Sequence, residues 1–122
     1  MVINIDGMAT VIVKMKTCDK THKITVTATE DGNYAVKIAS DCPKIAAYGK
    51  RLSVITLDDI IDFPKSRIVA GDVRQDISSN CLAPIGVINA GWLEAGLMTK
   101  TLAKKSVDNE IRFVDDSGEI LP

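Results

Sequence analysis

Residues 23–39 read KITVTATEDGNYAVKIA, and two alternating strands joined by a tight turn can be recognised in them. In residues 23–29, apolar side chains alternate with threonines, which is the pattern of a half-buried strand. The pair Asp31-Gly32 supplies the positive φ that a hairpin turn needs. Residues 34–39 then alternate again, so the stretch predicts an antiparallel hairpin.

A third alternating segment precedes this hairpin at residues 9–16, ATVIVKMK. Its apolar residues Val11, Val13 and Met15 fall on one face. The sequence therefore predicts an antiparallel meander of three strands. Residues 2–5, VINI, are a candidate for a fourth strand at its edge.

The periodicity becomes helical after the meander. A long apolar stretch predicts a helix over 83–98, and we expect its glycines to permit close packing against the sheet. Strands followed by helices indicate an α+β fold, in which C-terminal helices pack on a three- to four-stranded meander. The other predicted elements are a helix at 43–53, a helical turn at 57–63, a loop or short helix within 65–78, a helix at 99–105 and a last strand at 110–114.

Length and composition limit the possible classes of protein. The chain has 122 residues, so we expect a single domain over 1–122 with a loose tail at 115–122. Its 15 basic and 16 acidic residues give no electrostatic reason to expect a nucleic-acid partner. No apolar run approaches the roughly 18 residues of a membrane span, and no signal peptide is recognisable. We therefore expect a cytoplasmic protein that acts away from membranes.

The three cysteines all fall at junctions between predicted elements. Cys18 follows the first strand, Cys42 precedes a helix that begins with Pro43, and Cys81 precedes the long apolar helix. A helix N-terminus lowers the pKa of a thiol, and the thiolate is the form that binds metal or attacks. An odd cysteine count does not indicate a disulfide framework. The positions instead favour functional thiols.

This arrangement resembles the NifU/IscU family of iron–sulfur assembly scaffolds. The segments TCDKTHKITV (residues 17–26) and NCLAPIGVINAGW (residues 80–92) are similar to the first-cysteine and last-cysteine segments of that family. The middle segment, VKIASDCPKIAAYGKRL (residues 36–52), keeps the order strand, cysteine, helix. The resemblance implies the SufE/NifU fold.

The resemblance also implies a function. Cys18, Cys42 and Cys81 would hold an iron–sulfur cluster or a zinc ion, and a sulfur donor or a client iron–sulfur protein would be the partner. Cys81 is the expected sulfur acceptor if a persulfide delivers sulfur. Its helix N-terminus should lower its pKa, whereas Asp41 beside Cys42 should oppose such a shift there.

Four further residues are candidates for a fourth ligand or for tuning the thiols. His22, the only histidine, would complete a Cys₃His zinc set, although a surface position is the commoner role for such a residue. The family's Asp two residues after the first cysteine is Lys20 here, and Asp19 stands one position earlier. The Gly usual before the second cysteine is Asp41, and the His before the third is Asn80.

Two other functions stay open. The protein could be a small cytosolic adaptor with reduced, idle cysteines, or a sulfur-acceptor thiol protein. No catalytic residues are assigned, because no phosphate-binding loop is present and no serine has a plausible base other than His22. We expect Trp92 to be largely buried in a central helix; an exposed Trp92 would favour a partner surface.

Overall fold

The strands of the meander form one antiparallel sheet, in which they are ordered as in the chain. The computed structural model describes residues 9–122, so the candidate strand at 2–5 lies outside the described residues. The three predicted strands are confirmed, and a short fourth strand that the pattern did not predict pairs with the third. The bounds are β1 Ala9–Met15, β2 Lys20–Ala28, β3 Tyr34–Ser40 and β4 Val54–Ile55.

The turns of the meander bring particular strand ends together. β1 and β2 pair up to Met15 opposite Lys20. β2 and β3 pair up to His22 opposite Ser40, and Gly32 closes their hairpin at φ +86°. Antiparallel pairing therefore places the end of β1, the start of β2 and the end of β3 at the same end of the sheet.

The helices follow the sheet, so the fold is α+β. The predicted helices are confirmed, although the helix expected over 83–98 ends at Glu94, and the uncertain stretch at 65–78 contains one short helix. Thr56 begins the second helix with a capping box, in which its side chain accepts from the Asp59 backbone N–H and the Asp59 carboxylate accepts from the Thr56 N–H. The bounds are α1 Pro43–Leu52, α2 Leu57–Ile61, α3 Gly71–Arg74, α4 Ala83–Glu94 and α5 Lys100–Ser106, with 3₁₀ turns at Phe63–Lys65 and Arg67–Val69.

Close packing of α4 explains two of its glycines. A Cβ on Gly86 would lie 2.6 Å from Val13 Cγ2 and 2.8 Å from Ile24 Cδ1, so only glycine lets α4 approach β1 and β2 this closely. A Cβ on Gly91 would lie 2.9 Å from Ile60 Cγ1 in α2. The expected close packing on the sheet is confirmed for Gly86, and Gly91 packs on a helix instead.

Trp92 is not buried as expected, since 40 % of its surface is exposed. The face of α4 that is buried consists mainly of small residues, because the helix lies so close to the sheet. The indole N–H of Trp92 donates to the Ile60 carbonyl at 3.2 Å, which holds the ring at the boundary between α4 and α2. An apolar helix does not reveal from its sequence which side faces the core.

The strand expected at 110–114 is absent from the sheet. This segment follows α5 and is exposed, and its only pairing with another described residue is an isolated bridge between Val114 and Ile120. The alternating pattern was present, but a strand also needs a neighbouring edge, which a pattern does not specify. None of the helices within 9–122 is long and apolar enough to cross a membrane.

Candidate thiol site

Cys18 and Cys42 lie at the same end of the sheet. Cys18 is in the turn between β1 and β2, which connects the paired residues Met15 and Lys20. Cys42 follows β3 by two residues, next to the end where Ser40 pairs with β2. The antiparallel meander, which the sequence predicted, is therefore enough to bring these two cysteines together.

Cys81 reaches this end of the sheet because of the direction in which α4 runs. Gly86, near the start of α4, packs on Ile24 of β2. Glu94, at the end of α4, accepts a hydrogen bond from the Ala28 N–H at 2.8 Å through Oε2. The helix therefore runs along β2 in the same direction, and Cys81, which precedes it, lies toward the start of β2. We call Cys18, Cys42 and Cys81 the thiol site.

The electrostatics of Cys81 agree with this convergence. Burial raises the pKa of the Cys81 thiol above its ordinary value, and the thiolates of Cys18 and Cys42 raise it further. A hydrogen bond from the Ala83 backbone N–H acts in the opposite direction but is outweighed by burial. The expected lowering of this pKa is therefore wrong, because the helix N-terminus does not compensate for the loss of water around the thiol.

The three thiols are all free and differ in exposure. Cys18 is exposed, whereas Cys42 and Cys81 are half-buried and pack against the hydrophobic core. The starts of α1 and α4 have no side-chain cap. Cys42 itself occupies the N-cap position of α1, and the Cys81 N–H donates to the Ser78 carbonyl at 3.0 Å.

Ser40 and Asp41 hold the chain around Cys42. The Cys42 N–H donates to Ser40 Oγ at 2.9 Å. The Asp41 carboxylate does not cap α1 but accepts from the Thr21 N–H at 3.0 Å, so it ties β2 to the segment after β3. These bonds fix the backbone on the N-terminal side of Cys42.

His22 is buried, contrary to the surface position considered commoner for it. Only 1 % of its surface is exposed, and its Nδ1 lies 2.7 Å from Ser40 Oγ. Its Nε2 is buried with no hydrogen-bond partner among residues 9–122. Burial lowers the pKa of His22, and Asp41 partly offsets this. The ring is thus neutral near pH 7, and when Nδ1 carries the proton, Nε2 presents a free lone pair.

Asp19 and Lys20 lie in the turn beside Cys18. Asp19 is exposed and has φ +57°, in the left-handed region that aspartate tolerates in turns. Lys20 is half-buried at the start of β2. Within the described part of the chain, neither side chain forms a hydrogen bond or ion pair with a thiol. Asp19 and Lys20 therefore lie next to the thiol site without bonding to its cysteines.

The thiol site is not arranged as a ready metal centre. Among the residues that the structure describes, no three His, Cys, Asp or Glu side chains are positioned to hold a metal ion. The cysteines share one end of the sheet, and a ligand common to all three would require their side chains to move. Cys18 can do so most easily, since it is exposed in a turn.

Ser40 takes part in the site although no motif of the sequence singles it out. Its position was nevertheless readable, because the hairpin at Asp31-Gly32 fixes the register of β2 and β3. That register places Ser40 opposite His22 on the buried face. The predicted meander, extended by one residue at each end, would have found the pair.

These features define a small α+β protein with three free cysteines at one end of its sheet. The chain belongs to a family of unknown function, DUF6951, whose model matches residues 9–107. That match includes all three cysteines and His22. No curated protein and no solved structure matches the chain.

Proposed function

We propose that this protein is a cytoplasmic metal-binding protein that resembles iron–sulfur assembly scaffolds and holds a cluster or a zinc ion through Cys18, Cys42 and Cys81. The observation that carries the proposal is the convergence of three cysteines from separate loops at one end of the sheet. Buried structural cysteines have no reason to gather there.

The chemistry of the donors fits this role. Thiolates are the ligands of iron–sulfur clusters and are common zinc ligands. The Nε2 of His22, which has no hydrogen-bond partner in residues 9–122, would supply a fourth donor, and its Nδ1 is already held by Ser40, in the way that outer partners orient metal-bound histidines. We choose His22 as fourth ligand over Asp19 and Asp41, because Asp41 is engaged with Thr21 and Asp19 points from an exposed turn.

The residues of this chain would control binding through their protons. A cysteine must lose its proton to bind metal, and the raised pKa of Cys81 makes that loss costly at neutral pH. A bound ion or cluster supplies the positive charge that stabilises the three thiolates. The same mutual repulsion that raises the pKa of Cys81 favours a cation between the cysteines.

The environment of Cys81 does not favour sulfur acceptance. An acceptor thiol works as a thiolate, and Cys81 is half-buried with a raised pKa. Of the three thiols, Cys18 is the accessible one. In a scaffold, a sulfur donor or a client iron–sulfur protein would therefore meet the site from the side of the β1–β2 turn.

The experiment is anaerobic purification followed by elemental analysis and a visible spectrum, before and after reconstitution with iron and sulfide or with zinc. We expect about one zinc ion, or one cluster with visible absorption, per chain. The triple variant C18S/C42S/C81S should bind neither, whereas Thr17→Ser, an equally mild change in the same turn, should bind as the parent does. Failure of the parent protein to bind either would leave the adaptor function as the better account.

A further inference from the structure

The outer edge of β3 is only partly covered. β4 pairs with Tyr34 and Ala35, and the Val36 N–H donates to the Ser53 carbonyl at 2.7 Å. Because backbone groups alternate in direction along a strand, the N–H and C=O of Ile38 point to the same side as those of Val36. Within residues 9–122, no strand lies beside β3 at this point, so these groups form an open edge.

A groove runs along this open edge, between β3 and α1. Its volume is about 480 Å³. Ile38, Ala46 and Gly49 give it an apolar floor, and Lys37 and Lys50 lie at its rim. A Cβ on Gly49 would come within 2.9 Å of Ile38 Cβ, which shows how closely α1 approaches the strand. An extended segment added here would find both a strand edge and an apolar surface.

The chain itself contains a segment with the matching properties. Residues 110–114, EIRFV, have the alternation of a strand but lie outside the sheet. Ile111 is 68 % exposed and Phe113 is 63 % exposed, which is unusual for large apolar side chains two residues apart. Acidic residues flank the segment and complement the lysines of the groove: Asp108, Asp115 and Asp116. Within the segment, Glu110 is paired with Arg112 at 3.3 Å.

We propose that the groove between β3 and α1 binds residues 110–114 of a second copy of this chain as an added β-strand, so that two copies exchange strands reciprocally. The main chain of Ile38 would form the ladder hydrogen bonds, and Ile111 and Phe113 would cover the apolar floor. Reciprocal exchange satisfies both unpaired edges in one symmetric dimer. This inference is independent of the thiol site.

Sedimentation over a range of protein concentrations tests the proposal. We expect the parent protein to dimerise, and Ala46→Arg, which fills the groove, to weaken dimerisation by about 30-fold or more, the factor that corresponds to losing 2 kcal/mol. The matched control is Ala47→Arg, which adds the same charge to an exposed position of α1. Phe113→Asp should act like Ala46→Arg, and Val107→Asp, at a position that is 82 % exposed outside the segment, should not.

Mixing the two weakened variants gives the sharpest result. Ala46→Arg keeps an intact segment 110–114, and Phe113→Asp keeps an intact groove. In a mixed dimer, the segment of the first variant can therefore bind the groove of the second. We expect the mixture to form a heterodimer under conditions in which each variant alone stays monomeric. A monomeric parent protein, or a mixture that stays monomeric while circular dichroism shows both variants to be folded, would overturn the proposal.

Discussion

His22 and Ser40 face each other across β2 and β3, with His22 Nδ1 2.7 Å from Ser40 Oγ. The same hydroxyl accepts the N–H of Cys42 at 2.9 Å, so one serine links the buried imidazole to the start of α1. The remaining ring nitrogen, Nε2, is buried without a partner among the described residues. Ser40 therefore holds both the buried His22 ring and the backbone of Cys42 in the thiol site.

Replacing Ser40 by alanine should destabilise the fold. The change leaves His22 Nδ1 and the Cys42 N–H without their partner, and we expect a loss of about 1–3 kcal/mol in the free energy of unfolding. Urea denaturation measures it. Ser79→Ala, at an exposed position, is the matched control and should change little. Equal stabilities of the two variants would show that the hydrogen bonds of Ser40 contribute nothing.

The stability of the protein should fall as the pH falls below about 6.5. The pKa of His22 in the folded state lies below its ordinary value of 6.5, so the unfolded chain binds this proton more readily than the folded chain does. The stabilising contribution is complete above pH 6.5 and is lost as the pH falls toward the folded-state pKa.

Urea midpoints between pH 8 and pH 5 measure this dependence, and His22→Gln serves as the comparison. We expect the decline in the parent protein and a much flatter profile in the variant. Asp31 and Asp115 do not interfere in this range, because their pKa values are lowered below 3.8. Parallel profiles for the two proteins would show that His22 is not the titrating group.

Removing two thiols should lower the pKa of the third. In C18S/C42S, Cys81 loses the negative neighbours that raise its pKa in the parent protein, although burial continues to raise it. Alkylation rates of Cys81 across a pH series, read by mass spectrometry, give the pKa in each protein. An unchanged pKa would mean that the three cysteines lie too far apart to form one site.

Gly86→Ala should cost about 1–3 kcal/mol, because overpacking forces the helix or the sheet to shift. The added Cβ would meet Val13 Cγ2 at 2.6 Å. Gly71→Ala is the control, since a Cβ there has no neighbour within 4 Å. Thermal unfolding separates the two variants. A harmless Gly86→Ala would mean that α4 does not pack as closely on β1 and β2 as described.

Local patterns predicted the elements of the fold, and they failed where the outcome depends on distant neighbours. Alternation located the three long strands, and Pro43 marked a helix start correctly. The burial of His22 and the raised pKa of Cys81 arise from the packing of α4 on the sheet, which no local pattern contains. The segment 110–114 has a strand pattern, but its partner edge cannot be read from the pattern itself.

The cysteine positions predicted part of the site. The meander alone brings Cys18 and Cys42 to one end, whereas the place of Cys81 follows from the direction of α4, fixed by Gly86 and Glu94. The hydrogen bonds of Ser40 to His22 and Cys42 depend on the exact register of β2 and β3. The shared location of Cys18 and Cys42 and the pairing of His22 with Ser40 could thus be inferred from sequence, whereas the place of Cys81 and the burial of His22 could not.

An anaerobic titration with cobalt(II), a spectroscopic substitute for zinc, tests the central claim most directly. The intensity of sulfur-to-cobalt charge-transfer absorption reports how many thiolates bind the ion. We predict saturation at one ion per chain with the intensity of three thiolates, and a stepwise loss in C18S, C42S and C81S. Saturation without a charge-transfer band would contradict the account. So would a charge-transfer band that persists in C18S/C42S/C81S.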